Sequence, residues 1–523
     1  MTKQFWTIDA ETDPFLYGRV PKPFIWGAYN GLSGEYRTFK TTIELINFMK
    51  VKKHIFYAHN GGKFDFHLDC FADHINKNEK ILIIGSRLVK AKIGIAEIRD
   101  SYALLPFPLK AMGAKLEIDY NKLEKNQREK HMPEIEEYLR ADCVELWEAI
   151  NSFFKTHGRH LTCASAAIKT LMKMEDLKIE NSGVSFFDTF KPHYFGGRCQ
   201  CFKTGEFHGE LKYLDINSAY PYAMLHKHPI GNDFNYEFEK DPKIKGQNFY
   251  TIRAKSKGAL CERTKTGLNF VNSDEINTFH TTGWEVLAGL ETKTLEIIEH
   301  IEQKIFVNLK SFENYINHFW DERKKHSKNS HLNLFAKLMM NSAYGKFAAN
   351  PDNYDTYVLF EPNISEFLIN NGWELRGELG NAVLASRKLE EENARYYNVA
   401  TGASITGFVR SMLLRVINNV ENPIYCDTDS IIFTGNYNID LGKDLGQWDF
   451  EGIYNEGYFA GKKLYAVKNE KEIKLASKGT RLNFEQIKAV ALGETLEYNF
   501  EAPTFSWKNE TKFTTRNIRK TAQ

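Results

Sequence analysis

Two acids stand one residue apart inside an otherwise apolar run, Ile424-Tyr425-Cys426-Asp427-Thr428-Asp429-Ser430-Ile431-Ile432-Phe433. The β-branched and aromatic flanks suit strands, with the acids at or near a turn between them. Side chains alternate along a strand, so the pattern sets both carboxylates on one face and Thr428 on the other. A lone Asp-x-Asp commonly serves a turn, where aspartate bonds its own backbone. The other use is a seat for Mg²⁺, which takes oxygen ligands and keeps places for substrate phosphates. The pair alone leaves both uses open.

Tyr213-Leu214-Asp215-Ile216-Asn217-Ser218-Ala219-Tyr220-Pro221 supplies a third carboxylate on a short strand that Pro221 discourages from continuing. Two metals held by aspartates suit in-line phosphoryl transfer, one at the attacking oxygen and one at the leaving oxygen. Lys337-Leu-Met-Met-Asn341-Ser-Ala-Tyr344-Gly345-Lys346-Phe347 reads as a helix. Lys337, Asn341 and Tyr344 fall on one stripe of it. A cation, an amide and a phenol make a poor core face and a good surface for a nucleoside triphosphate.

These strings, in this order, resemble motifs A, B and C of the family B DNA polymerases. The form is that of the protein-primed phage enzymes, nearest to their short, tectivirus-like branch. The resemblance implies a DNA-directed DNA polymerase in which Asp215, Asp427 and Asp429, with the Ile216 backbone, hold two Mg²⁺ ions, with Mn²⁺ as a substitute. It implies Lys337 and Lys325 for the triphosphate of a dNTP, and Asn341 and Tyr344 for the nascent base pair. Tyr220 takes the place of the sugar selector, whose ring excludes a 2′-hydroxyl; burial as a core tyrosine is the other reading. Asn333 stands where relatives often carry a further lysine.

The amino-terminal part carries a second set of acids. Ile8-Asp9-Ala10-Glu11-Thr12 puts Asp9 and Glu11 on one strand face, and Tyr138 and Asp142 are i, i+4 neighbours on a helix. Tyr57-Ala-His59-Asn60-Gly-Gly-Lys63-Phe64-Asp65 adds another acid after a glycine turn. Together these resemble the three motifs of 3′–5′ proofreading exonucleases, with Asp9, Glu11, Asp65 and Asp142 as metal ligands and Tyr138 orienting the attacking water. Asn60 and Asp65 are one residue farther apart than in well-known relatives. The same resemblance places His59, Asn60, Phe64, Ser101 and Tyr102 on the single-stranded primer end, where an aromatic ring can stack on any base. It matches Lys115 to a lysine that assists hydrolysis; a solvated surface lysine is the equal alternative.

Between the two sets, Tyr194-Phe195-Gly196-Gly197 resembles the family's linker that contacts template, with Tyr194, Gly196 and Gly197 as DNA contacts. Thr406 and Arg410, on an expected helix from Ser404 to Ile417, resemble a template-binding pair. Lys463 and Tyr465 resemble the Lys-x-Tyr motif that supports the primer.

Charge does not announce a partner: 69 Lys and Arg against 67 Asp and Glu leave a formal +2. Catalytic acids and basic tracks coexist within such a sum. Seven cysteines show no Cys-x-x-Cys spacing, so a zinc site is not expected and a reduced, cytoplasmic setting is. No apolar run reaches membrane-spanning length and the start does not read as a signal peptide.

The expected architecture is an α+β and α/β multidomain chain: an RNase H-like exonuclease domain, then a right-hand polymerase with two insertions. The exonuclease is expected at 1–180, linker and first palm segment at 181–227, and the first terminal-protein-region insertion at 228–313. Fingers follow at 314–350, a second such insertion, read as a ribbon, at 351–396, second palm segment at 397–481 and thumb at 482–523. Implied partners are primer-template DNA, dNTPs, a terminal protein primer and a single-stranded DNA-binding protein, with the polymerase itself a monomer and no membrane. A nucleic-acid-primed family B polymerase and a non-catalytic DNA-binding relative are the alternatives; the paired insertions favour protein priming.

Overall fold

The computed structural model describes residues 4–15, 19–113, 116–265, 267–328, 330–390, 395–508 and 512–522. Strand Phe5–Thr12 lies inside a ten-stranded mixed sheet. It runs parallel to Ile55–Ala58, which runs parallel to Ala96–Asp100. Alternation sorts its side chains. Trp6 and Ile8 enter one core with Trp26 and Phe56. Phe5 stacks at 5.1 Å on Trp147 of helix Arg128–His157, and Thr7 donates to the Cys143 carbonyl of that helix at 2.6 Å. Asp9 and Glu11 continue the Phe5–Thr7 face, so they point at the same helix.

Three strands from far along the chain extend this sheet. Asp355–Phe360 pairs with Lys80–Ile84, and Ala382–Lys388 and Glu374–Leu379 follow outward. Tyr357, Leu359 and Leu384 are buried in the same core as Trp6 and Trp26. The stretch read from sequence as a ribbon is therefore the covered edge of the amino-terminal sheet. An unpaired Lys80–Ile84 edge would otherwise expose a row of backbone donors and acceptors.

The second large sheet has seven antiparallel strands in the order 473–477, 464–468, 448–461, 205–216, 430–437, 420–427, 199–201. Helix Val399–Ile417 packs behind it and is buried on nearly every side. Such a helix belongs inside a large core. It starts five residues earlier than the sequence pattern indicated, because the Asn398 side chain accepts from Thr401 N–H and caps it.

Residues 228–310 form a separate four-stranded antiparallel sheet with helix Gly283–Glu291 on it. Helices Glu313–Lys325 and His331–Phe347 make a hairpin. Helix Cys163–Met174 packs on that hairpin, and its buried residues share a core with Phe5, Ile55 and Tyr57 of the ten-stranded sheet. The terminal strands Leu496–Thr504 and Lys512–Lys520 pair as a hairpin whose tip reaches back to the amino-terminal unit. There Trp507 is fully buried 4.7 Å from the His67 ring, and its backbone N–H donates to the Ser86 carbonyl. Among the described residues no helix is long and apolar enough to cross a membrane.

Two candidate active sites

The first site forms where Asp9 and Glu11 face the helix carrying Tyr138 and Asp142. Asp65 joins them from a 3₁₀ turn. The turn Gly61–Lys63 absorbs the residue that separates this chain from the usual spacing. Asn60 enters it with φ 64°, and a Cβ on Gly62 would lie 1.9 Å from the Leu88 carbonyl oxygen. Only glycine lets the backbone approach that closely.

The four carboxyls strain against one another. Burial first, then Asp65, Asp142 and Glu11, hold Asp9 well above the ordinary carboxylate range. Burial with Asp142 and Asp65 pushes Glu11 up to about 8. Burial with Asp100 takes Asp65 to about 7, and burial takes Asp142 to about 6 against the Tyr138 hydrogen bond that lowers it. Asp65 Oδ1 is buried without a hydrogen-bond partner. Like charges this close, with an orphaned oxygen, fit a divalent cation. Among the described residues no three acids, histidines or cysteines are drawn tightly enough to hold a metal by themselves, so substrate oxygens would complete the shell.

A cleft of about 700 Å³ opens on this site, lined by His59, Asn60, Arg87, Tyr102, Tyr138 and Asp142 among others. His59 is held within it: Nδ1 lies 3.1 Å from Ser101 Oγ and Nε2 2.7 Å from the Phe107 carbonyl. Burial pushes its pKa down to about 4, so the ring is neutral at pH 7. Ser101 is buried and donates to the Ala58 carbonyl, which makes it a support of the cleft wall. Phe64 sits outside the cleft, 5.7 Å from Phe15 and 5.5 Å from Phe505 of the terminal hairpin. Lys115 lies outside the described residues. Arg87, missed from sequence, ion-pairs Asp100 and lies 4.6 Å over the Tyr102 ring. Nothing in its strand context, Arg87–Ile93, marks it in advance.

The second site lies on the seven-stranded sheet. Strand Val420–Asp427 ends at the first acid and Ser430–Tyr437 begins after the second, so the two do not share a strand face as alternation implied. They flank a tight reversal: Thr428 has φ 64°, and Asp429 N–H donates to the Asp427 carbonyl at 2.7 Å. Asp215 lies opposite Ser430 in register, and Ile216 N–H donates to the Asp429 carbonyl at 2.7 Å. Asp215 is pushed to about 7 by burial and then by Asp429; Asp429 rises to about 6 by burial and then by Asp427. Lys337 opposes both shifts, which brings its ammonium within their field. Asp427 is different, because Lys463 Nζ contacts both its oxygens at 2.8 and 2.6 Å. Asp215 and Asp429 thus make the electronegative pair, and Lys463 neutralises the third acid.

Tyr220 and Tyr344 stack face to face at 4.1 Å and 8°. Tyr344, Asn341 and Tyr194 line one cavity of about 690 Å³. Gly197 fits against Tyr220 Oη and Thr428, where a Cβ would come within 3.0 Å of both. Thr428 N–H donates to the Arg198 carbonyl at 2.6 Å, so the linker forms a floor under the acid turn. Arg410 fixes that floor. Its Nη1 donates to the Phe195 and Gly196 carbonyls, and its Nε and Nη2 bond Glu285 at 2.8 and 2.9 Å. Arg410, Thr406 and Glu285 are all buried, so the Thr406–Arg410 pair offers no free surface to a template strand. Tyr465 is buried beside Tyr425. Lys325 is exposed and paired with Glu322 at 2.6 Å. Asn333, in the place of a lysine, donates to the Arg323 and His326 carbonyls at 2.8 and 3.2 Å and closes the helical hairpin.

The family described as "DNA polymerase type B, organellar and viral" matches residues 115–437, more than half the chain. The chain belongs to it. It is 37% identical over 551 residues to the DNA-directed DNA polymerase of Enterobacteria phage PRD1, covering 98% of this chain and 97% of that one. It is 27% identical over 411 residues to the DNA polymerase of Bacillus phage phi29, covering 70% and 66%. Its fold matches phi29 DNA polymerase complexed with primer-template DNA and incoming nucleotide substrates, with a TM-score of 0.75, 20% identity and full coverage of both chains.

The raised carboxyls give this type B polymerase a pH signature. Folded Glu11, Asp65, Asp142, Asp215 and Asp429 hold protons that the unfolded chain releases near pH 4. The folded state binds more protons, so this stabilisation is full below about pH 4 and is lost as pH rises through about 6 to 8. In chelator, the thermal midpoint is expected to fall across that window, and Mg²⁺ should restore it. Glu11→Gln should flatten the fall. A midpoint in chelator that climbs from pH 5 to pH 8 contradicts the assignment.

Proposed function

We propose that this DNA-directed DNA polymerase of the phage type carries two phosphoryl-transfer centres, one for synthesis and one for 3′–5′ proofreading. The observation that carries it is a pair of separate, buried, mutually repelling carboxyl clusters, only one of which sits beside a helical cation and a tyrosine stack. In this reading the seven-stranded sheet is the palm, the 313–347 hairpin the fingers, the ten-stranded unit the exonuclease and the terminal hairpin part of the thumb. Mg²⁺ bound at either cluster would polarise the scissile phosphate and lower the pKa of the attacking oxygen.

The chain's own groups do the rest. At the palm, Asp215 and Asp429 take the cation-binding role, Lys463 holds Asp427 in place through both its oxygens, and Lys337 approaches the triphosphate. At the exonuclease, the Tyr138 hydroxyl, held on Asp142, is placed to orient water. Priming is proposed to come from a terminal protein docked on the 228–310 sheet, where Tyr236 and Phe238 are exposed. Extension of a primed template by the purified protein, with degradation of single-stranded DNA, tests the two centres together. Transfer of labelled dNMP to a protein hydroxyl tests the priming.

Tyr220 is the steric gate in this reading. Its ring is fixed by the stack on Tyr344, so Tyr220→Val should raise ribonucleotide incorporation relative to deoxynucleotide by about 10-fold or more, through removal of a clash. Competition assays measure the ratio; equal ratios in wild type and variant reduce Tyr220 to packing.

A further inference from the structure

We infer that Glu175, a residue no motif singles out, positions the sugar gate by pinning the base of the helical hairpin. This rests on the polymerase reading above and adds a positioning residue to it. The first helix of the hairpin, Glu313–Lys325, begins without a cap of its own, since Phe312 holds the N-cap position and makes no side-chain capping bond. The N–H groups of its first turn must find partners elsewhere. Glu175 supplies one from 140 positions earlier, at the end of helix Cys163–Met174. Its Oε1 accepts from Tyr315 N–H at 2.8 Å, and its Oε2 accepts from Asn314 Nδ2 at 3.4 Å. Lys310 Nζ stands 4.0 Å from the same Oε2, and Glu175 is buried. The helix dipole adds to the hold on a carboxylate in this place.

From this pin a chain of contacts closes on the gate. Phe312 N–H donates to the Met224 carbonyl at 2.8 Å, and Met224 N–H donates to the Tyr220 carbonyl at 3.1 Å. On the other side, the Tyr315 hydroxyl donates to the Met339 carbonyl at 2.7 Å and ties the two helices of the hairpin together. Met339 and Tyr344 share helix His331–Phe347, and Tyr344 stacks on Tyr220. Tyr220, Met224, Phe312, Tyr315, Met339 and Tyr344 thus form a closed circuit, which Glu175 fastens to a helix outside the hairpin. Without the pin the first helix is free to tilt, and the Tyr344 ring shifts on Tyr220. A misplacement of about 1 Å is enough to cost a positioned reaction about 10²-fold.

The full-length protein tests this in primer extension with dNTP and rNTP in competition. Glu175→Ala should lower discrimination against ribonucleotides by about 10-fold, and should raise the KM for dNTP more than it lowers kcat. Glu175→Gln keeps an acceptor for Tyr315 N–H and should recover most of the loss. Tyr315→Phe cuts the tie to Met339 with Glu175 in place, and should lower discrimination too. The effect passes through Tyr220, so adding Glu175→Ala to Tyr220→Val should lower discrimination little further than Tyr220→Val alone. Degradation of single-stranded DNA reports folding and should stay at wild-type level throughout. Unchanged discrimination in Glu175→Ala, even with a lower thermal midpoint, overturns the assignment, and so does a full further loss on top of Tyr220→Val. Should Glu175→Ala fail to fold, wild-type discrimination in Tyr315→Phe overturns it instead. A wild-type protein that fails to extend primers would overturn the polymerase reading itself.

Discussion

Asp429→Ala should abolish primer extension, by about three orders of magnitude or more, while degradation of single-stranded DNA stays within about twofold of wild type. Asp9→Ala with Glu11→Ala should do the reverse. The magnitude follows from the electrostatics of each cluster. Asp429 is the acid whose field most raises Asp215 after burial itself, so it is the group best placed to share a cation with Asp215. Removing it leaves Asp215 beside Lys337 and takes away half of the pair. Asp427 cannot stand in, because both its oxygens are engaged by Lys463. Asp427→Ala is accordingly expected to be the milder lesion of the two. On the other sheet, Asp9 and Glu11 supply two of the four acids whose fields act on one another. The clusters stand on different sheets and share no acid, so the two losses should be independent. Extension lost in the Asp9 and Glu11 variant with degradation intact would exchange the two assignments.

Much of this was legible in the chain because catalytic acids sit at strand ends and helix faces whose periodicities are short-range. Asp9 with Glu11, and Tyr138 with Asp142, needed only the spacing of one strand and one helix. Asp427 and Asp429 were read as a pair for a reason the structure replaces: a left-handed Thr428, not strand alternation, brings them together. What stayed hidden depends on contacts distant in sequence. The Arg410–Glu285 pair joins residues 125 positions apart, and a family likeness had placed Arg410 on DNA. It fixes the linker instead, and any effect it has on template would pass through the Gly196–Gly197 backbone it holds. Arg87 belongs to the same class: its strand is ordinary, and only the fold shows that it meets Asp100. Trp507 is the extreme case, a tail residue that fills a core more than 400 positions earlier.

The segment 351–396 shows how that distance changes an experiment. Read as a ribbon, residues 353–394 would be replaceable by a short Gly-Ser turn with extension on open template nearly intact and only processivity and strand displacement cut. The pairing of Asp355–Phe360 with Lys80–Ile84, and the burial of Tyr357, Leu359 and Leu384 among Trp6 and Trp26, say otherwise. Full removal should strip part of the amino-terminal core and open a sheet edge, so single-stranded DNA degradation and soluble yield are expected to fall together. Large-to-small losses at such sites cost about 2–5 kcal/mol each, and here several occur at once. A smaller cut separates the roles. Phe360 faces Val383 in register, so an Asn-Gly turn joining them in place of 361–382 keeps both inner strands on the sheet. It removes helix Ser365–Asn370, with exposed Phe367 and Ile369, and the outer strand Glu374–Leu379. If the outer portion encircles DNA and parts the strands ahead, this variant should degrade single-stranded DNA and extend an open template near wild-type rates. Its products through a long duplex should shorten by about 10-fold or more, since a topological hold is lost while the chemistry is untouched. Undiminished displacement synthesis by the short cut would leave the outer strand and helix as mere cover for the sheet edge.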